Sequence, residues 1–282
     1  MGSYLRPASL DEALTALATR PRTLLAGGTD IYPARVGRVV DDDVLDVSGL
    51  PDLRAIAIED GTCRIPALAT WTDLIAADLP ARFDGLKAAA GAIGGVQIQN
   101  RGTICGNVCN ASPAADGLPN LIALDARIEL TSATGRREVP AADFMTGNRR
   151  TVRRPDELVT AAVVPVPAGE GRSTFLKLGT RAYLVISIAM VGAVVDVGSD
   201  GRVSSTRIVV GACSEVPQRI PAAEARLVGH RLSPEDAAGI ATEIQATDLA
   251  GLAPIDDVRA PAAYRREAAL VLVRRAISEL GG

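Results

Sequence analysis

Two glycine-rich runs constrain this chain more than any other feature: Ala26-Gly27-Gly28-Thr29-Asp30-Ile31 and Gly102-Thr103-Ile104-Cys105-Gly106-Asn107. Each reads as the place where an apolar strand gives way to a turn. Glycine accepts positive φ and leaves no Cβ between backbone N–H groups and a ligand, so such turns form concave nests for phosphate oxygens. Each run adds a threonine hydroxyl and a polar Asp30 or Asn107 able to bond the same ligand. A single turn of this kind is ordinarily only a tight connection. Two with matching chemistry point to a pyrophosphate held between two lobes.

Lobes on either side of a ligand require more than one core. The chain has 282 residues, 48% of them hydrophobic, enough for two domains. Aromatic residues make up only 3%, so Ala, Val, Leu and Ile must build the interior, and Trp71 is the sole tryptophan. A net charge of -3, from 30 basic and 33 acidic residues, gives no electrostatic ground for binding nucleic acid or an anionic membrane. The basic cluster Arg149, Arg150, Arg153 and Arg154 reads as a solvated turn or rim salt-bridge set, with local ligand contact as the alternative. Met1-Gly2-Ser3-Tyr4-Leu5-Arg6-Pro7 reaches charge and proline before a signal-peptide core can form, and Gly2 lacks the hydroxyl residue a myristoylation signal needs. No apolar stretch approaches the roughly twenty residues of a spanning helix. A cytoplasmic chain without membrane insertion is expected. Cys63, Cys105, Cys109 and Cys213 form no CxxC pair and no zinc or iron–sulfur spacing, so they read as small buried residues in a reducing compartment.

Along the chain, Ser9 to Leu17 reads as a helix capped by Ser9, followed by a buried strand at 23–26, a short helix at 30–37 and a strand at 44–47. This makes a small α/β lobe of residues 1–55. A second lobe, 56–167, opens with a hairpin about Asp60-Gly61, a dipeptide suited to positive φ. Helices follow at 72–77 and 83–92, then apolar segments at 120–122, 126–130 and 136–139, the last two as a hairpin, and a β-branched segment at 158–166. Ala168-Gly169-Glu170-Gly171 reads as a linker. The unit at 168–282 shows three strand segments, 174–178, 187–197 and 203–210, with a turn at Ser199-Asp200-Gly201. Helices at 221–228, 234–243 and 262–278 complete it.

These residues resemble the flavoprotein (medium) subunits of the molybdenum hydroxylases, the xanthine dehydrogenase and carbon monoxide dehydrogenase type. The resemblance covers nearly the whole chain. It is carried by Ala26-Gly27-Gly28-Thr29-Asp30, by the segment from Ile93-Gly94-Gly95 through Asn100-Arg101-Gly102-Thr103-Ile104, and by Gly106-Asn107 and Ala111-Ser112-Pro113-Ala114-Ala115-Asp116 with Pro119. Phe175-Leu176-Lys177 with Arg181, Val210-Gly211-Ala212, the run from Ala223 to Gly229, and Tyr264-Arg265-Arg266 extend it. It implies an α+β protein: a two-lobed PCMH-type FAD-binding domain at 1–167, then a smaller α+β domain of the carbon monoxide dehydrogenase flavoprotein type at 168–282, with a three-stranded sheet and helices.

By the same resemblance FAD is bound noncovalently. Ala26, Gly27, Gly28, Thr29, Asp30 and Ile31 hold one side of its pyrophosphate, and Gly102, Thr103, Gly106 and Asn107 approach from the other lobe or contact the flavin edge. Ser112 and Asp116 match polar contacts to the ribityl or adenosine part; Ser112-Pro113 read alone is equally a cap or turn. Lys177 matches a lysine near the flavin, where its charge favours the reduced anionic ring. Ile93 and Val159 match positions near the isoalloxazine, although such residues are usually plain core. Tyr183 matches a tyrosine stacked near the flavin and is read as a gate over the hydride face. Cys105 departs from the family's glycine in the Thr-Ile-Gly-Gly-Asn run; its Cβ requires negative φ there, and its thiol reads as buried filler.

The sequence lacks cysteine patterns for two [2Fe–2S] clusters and room for a molybdopterin region. The resemblance therefore implies a small [2Fe–2S] subunit and a large molybdenum-cofactor subunit as partners, in a dimer of heterotrimers, with electrons passing through FAD to NAD or another external acceptor. An insertion carrying an extra [4Fe–4S] cluster, as in benzoyl-CoA-type relatives, is missing. Two rival readings stand beside this one: a standalone FAD oxidase of the vanillyl-alcohol-oxidase-like fold, which often attaches flavin to histidine, and a non-catalytic nucleotide-binding assembly subunit. The sole histidine, His230, lies far in sequence from both glycine runs. No GxGxxG run follows a strand, so NAD has no dedicated Rossmann site.

Overall fold

The computed structural model describes residues 2–37 and 41–282. The first lobe comprises β1 (Tyr4–Leu5), α1 (Leu10–Thr19), β2 (Thr23–Leu25) and β3 (Val44–Asp46), with the strands parallel in the order β1-β3-β2. Ser9 starts α1 by accepting the Glu12 N–H at 3.2 Å, while Asp11 and Glu12 complement the positive end of the helix. Ala13, Leu14, Ala16 and Leu17 form its buried face. The helix expected at 30–37 is one 3-10 turn, Pro33–Arg35. It buries no residue, and Val36 at ψ 128 already leaves the helical conformation, so nothing sustains a longer helix.

In the second lobe β4 (Ala57–Glu59) and β5 (Thr62–Pro66) pair through Asp60 and Gly61, at φ 47 and 70. Both values fall in the left-handed region that an Asp-Gly hairpin turn requires. Helices α2 (Trp71–Ala76), α3 (Asp84–Ala92), α4 (Val96–Gln99), α5 (Ile104–Asn110) and α6 (Gly117–Ala123) follow. Then come β6 (Arg127–Ser132), β7 (Gly135–Pro140), α7 (Ala141–Phe144), β8 (Met145–Gly147), β9 (Arg150–Thr151) and β10 (Leu158–Pro165). The main sheet is antiparallel in the order β4-β5-β10-β6-β7. Residues 120–122, an apolar segment of unassigned form in the sequence, lie in α6, whose seven residues are all buried. One local expectation fails here. The second glycine run follows the helical turn α4, not a strand, and opens α5.

The remaining unit is an antiparallel sheet of β11 (Glu170–Leu178), β12 (Ala189–Val197), β13 (Val203–Gly211) and β14 (Gln218–Arg219), followed by α8 (Pro221–Ala225), α9 (Pro234–Glu243) and α10 (Ala262–Leu280). It has four strands where three were expected; β14 is only two residues long and shows no alternation. The expected linker is largely absorbed into β11, because Glu170 pairs with Val197 and extends the ladder over nine residues. The helix expected at 221–228 stops at Ala225. Strand β12 is buried through its first seven residues because α10 covers one side of the sheet, while α3 and α6 of the second lobe pack on the other. Contact there is close: a Cβ on Gly192 would lie 3.0 Å from Asn120 Oδ1, and the Arg207 Nε–H donates to the Ala123 carbonyl at 2.6 Å.

Candidate functional site

The first glycine run leaves β2 and passes directly against the second. A Cβ on Gly27 would lie 1.8 Å from the Arg101 carbonyl oxygen, and one on Gly102 would lie 3.3 Å from Thr29 Oγ1. Gly28 sits at φ 74, a conformation that side-chain-bearing residues rarely adopt. The second run is pinned to the segment after β5, since Trp71 N–H donates to Gly102 and Ile104 N–H to Ala69, at 3.2 and 3.1 Å. Thr103 then caps α5, its hydroxyl accepting the Gly106 N–H at 3.0 Å.

Between the runs lies a cavity of about 450 Å³, within the usual size of a small-molecule site. Its wall includes Ala26, Gly27, Gly28, Thr29, Asp30, Ile31, Ile93, Gly102, Thr103, Cys105, Gly106, Asn107 and Val159. A neighbouring cavity of about 240 Å³ shares Ala26, Gly27, Leu68 and Thr103 with it. Among the described residues, the backbone N–H groups of Gly27, Gly28, Thr29, Asp30 and Ile31 meet no protein acceptor. The Asn107 side-chain oxygen is buried without a partner. Five consecutive donors without a protein acceptor, in residues that line a cavity, suit an anion nest, and an unmatched buried acceptor calls for a ligand or water.

Gly106 lies on this wall and also carries a local structural duty. Its N–H is already used by Thr103, and a Cβ there would meet Thr103 Oγ1 at 2.6 Å, so this glycine shapes the helix cap. Cys105 lies inside α5, where φ is negative, and its side chain is accommodated without strain. Burial pushes its thiol well above the ordinary range, and pushes Cys109, on the same wall, up to about 11. Asp30 is the only carboxylate among the described wall residues, and no histidine is present.

Four sequence-selected residues lie off this wall. Ser112 Oγ accepts the Ala114 N–H at 3.3 Å, a turn contact. Asp116 is buried and accepts from Lys177 Nζ and Ser187 Oγ, both at 2.5 Å. Burial raises the Asp116 carboxyl above its ordinary range against the pull of these two partners. Lys177 and Asp116 thus satisfy each other across the junction between β11 and the second lobe. Tyr183 is 79% exposed on the segment between β11 and β12. Its neighbour Leu184 reaches within 3.5 Å of where a Gly95 Cβ would stand, two residues from Ile93 on the wall. The cavity also takes in residues that sequence reasoning passed over, Trp71, Ile98 and Asn110 together with Leu24 and Leu158, and one from the basic cluster, Arg153. Trp71 is buried at the first position of α2, fixed by the Thr70–Asp73 capping box; its singular occurrence was the available signal.

A two-lobed cradle with paired glycine runs, joined to a four-stranded sheet backed by helices, defines a flavin-binding oxidoreductase subunit. Residues 1–167 match the FAD binding domain in molybdopterin dehydrogenase, and residues 174–280 match the CO dehydrogenase flavoprotein C-terminal domain. The chain belongs to the family of FAD-binding medium subunits of the molybdenum hydroxylases. It is 33% identical to the glyceraldehyde dehydrogenase medium chain of Sulfolobus acidocaldarius, over 99% of this chain and 98% of the relative. It is 32% identical to the nicotine 6-hydroxylase medium subunit of Paenarthrobacter nicotinovorans, over 99% and 96%. Among solved structures, the carbon monoxide dehydrogenase of Hydrogenophaga pseudoflava superposes with a TM-score of 0.86 at 31% identity, covering 98% of this chain and 95% of that one. No helix among the described residues is long and apolar enough to cross a membrane.

Proposed function

We propose that this chain is the electron-transferring FAD subunit of a heteromeric molybdenum hydroxylase, with FAD held noncovalently in the cavity between the glycine runs. The carrying observation is the row of five unpaired N–H groups on its wall, together with the orphaned Asn107 oxygen. Residues 1–167 form the FAD domain and 168–282 the carboxy-terminal domain. Bound FAD supplies redox chemistry, exchanging electrons with both one- and two-electron partners. The amides of 27–31 receive the pyrophosphate, Thr103 and Asn107 approach from the second lobe, and Ile93 and Val159 offer apolar surface beside the ring. The Asp116–Lys177–Ser187 cluster fixes the base of the segment carrying Tyr183.

Electrons arrive from [2Fe–2S] clusters of a small partner subunit and leave to NAD or another external acceptor, while a large partner binds the molybdenum cofactor. The assembly is a dimer of heterotrimers in the cytoplasm. Relatives described as medium chains of carbon monoxide dehydrogenase and as FAD subunits of xanthine dehydrogenase support this reading. Tyr183 covers the acceptor face: in the complex, Tyr183→Ala alters turnover with the acceptor and leaves substrate reduction of molybdenum unchanged. Unchanged acceptor kinetics remove Tyr183 from this role.

Flavin content tests the cavity. Gly28→Val places a branched side chain at φ 74, where even Cβ meets the Tyr32 ring at 2.5 Å, and Asn107→Ala removes the unpaired oxygen. Both variants fold, by circular dichroism, and purify poor in flavin. Full occupancy in both refutes the assignment. Denaturation releases the yellow colour from the wild-type polypeptide; retained colour would favour a covalent flavin, although His230 is not on the described cavity wall.

A further inference from the structure

We propose that Arg149 is a positioning residue for the cofactor, tying the first glycine run to the end of α5 and cancelling the carboxylate charge that Asp30 brings to the cavity wall. The inference rests on FAD occupying this cavity. Arg149 stands in the turn between β8 and β9 at φ 59, uncommon for arginine. Its N–H donates to the Ala111 carbonyl at 2.8 Å, fixing its backbone to the C-terminal end of α5. From there Nη1 donates to Asp30 Oδ2 at 2.7 Å and also to Asn110 Oδ1. Asp30 and Asn110 both line the cavity, one from each lobe.

The arrangement resolves an electrostatic contradiction. A carboxylate beside amides that await phosphate repels the anion they would bind, and a cation paired with it removes the repulsion. Arg153, also on the wall, has Nη1 donating to the Arg154 and Glu157 carbonyls at 3.0 and 2.8 Å, leaving Arg149 as the cation set against Asp30. The pair contributes little to folding, since its side chains are 53% and 48% exposed and exposed ion pairs are weak. Its effect should appear in cofactor affinity and release.

The test uses the full chain stripped of flavin and titrated with FAD, read by flavin and Trp71 fluorescence. Arg149→Ala should weaken binding about tenfold by leaving one uncompensated charge beside an anion, and should speed FAD release. Asp30→Asn combined with Arg149→Ala should recover most of that loss, and Arg149→Lys should retain most of the affinity. Flavin-free melting temperatures should remain together. Equal FAD affinity in Arg149→Ala and wild type overturns the proposal, as does a double variant no better than Arg149→Ala. If Gly28→Val binds FAD as tightly as wild type, the cavity assignment itself fails and the role of Arg149 falls with it; intact Gly28 dependence with no Arg149 effect refutes this inference alone.

Discussion

Adding a single methyl group at Gly27 should act on two lobes at once. Its Cβ would stand 1.8 Å from the Arg101 carbonyl oxygen, whereas ordinary contact begins near 3.4 Å, so the loops must separate by about 1.6 Å. The obstructing atoms are backbone, pinned by the bonds of Trp71 and Ile104 to the neighbouring segment, so no rotamer change relieves the clash. Overpacking of this kind costs about 1–3 kcal/mol, and the fixed surroundings place Gly27→Ala near the upper end. At about 2–4 °C per kcal/mol for a chain of this size, melting should fall by about 6–12 °C. The same substitution at Gly239 should have the opposite sign. That residue lies in the exposed part of α9 with nothing within 4 Å of the new Cβ, and alanine in place of helical glycine stabilises by about 0.5–1 kcal/mol. Calorimetry should be run on flavin-free protein, because a ligand bound to the native state raises its apparent stability. Flavin content per chain is measured alongside, and Gly27→Ala should lose FAD while Gly239→Ala keeps it. A Gly27→Ala protein that melts with wild type and carries a full complement of FAD would refute the close packing of the glycine runs.

The Arg137–Glu157 pair predicts an acid limb in stability. Arg137 donates to both Glu157 oxygens, at 2.6 and 2.9 Å, and this hydrogen bonding holds the carboxyl below its usual value of 4.5. A depressed folded value means the stabilisation is present above about pH 4.5 and is lost as pH falls through the lower, folded value. Glu157→Gln should cost about 1–3 kcal/mol at neutral pH and flatten the acid limb of a denaturant titration, whereas an unchanged limb would remove this pair from it. FAD binding should strongly quench the emission of Trp71, which lies on the cavity wall and emits where oxidised flavin absorbs, with saturation at one flavin per chain; co-eluting flavin without quenching would put the cofactor elsewhere. Burial raises all four thiols, with Cys63, Cys109 and Cys213 at about 11 and Cys105 higher. Native protein at pH 7.5 should therefore resist alkylation at the buried Cys63, Cys105 and Cys213, with Cys109 only half-buried on the cavity wall; full labelling should follow denaturation, and rapid native labelling of any of the first three would contradict its burial.

The sequence by itself determined the family and the α+β class, because ordered motifs and local backbone rules are written in contiguous residues. Ser9 before Asp11-Glu12 places a helix start, and Asp60-Gly61 places a hairpin, since each signal acts over three or four residues. It also singled out the glycine runs that form one cavity wall. Partnerships between distant residues had no such signal. Lys177 and Asp116, chosen separately, are paired with each other, and Asp30 is matched to Arg149 from 119 positions away. The form of residues 120–122 was open in the sequence, because a segment buried on all sides lacks the polar–apolar period that local reading depends on. Only the tertiary structure decided that Gly27 serves close approach and Gly106 a helix cap, because a glycine's use depends on what stands where its Cβ would be, and that neighbour is supplied by the fold.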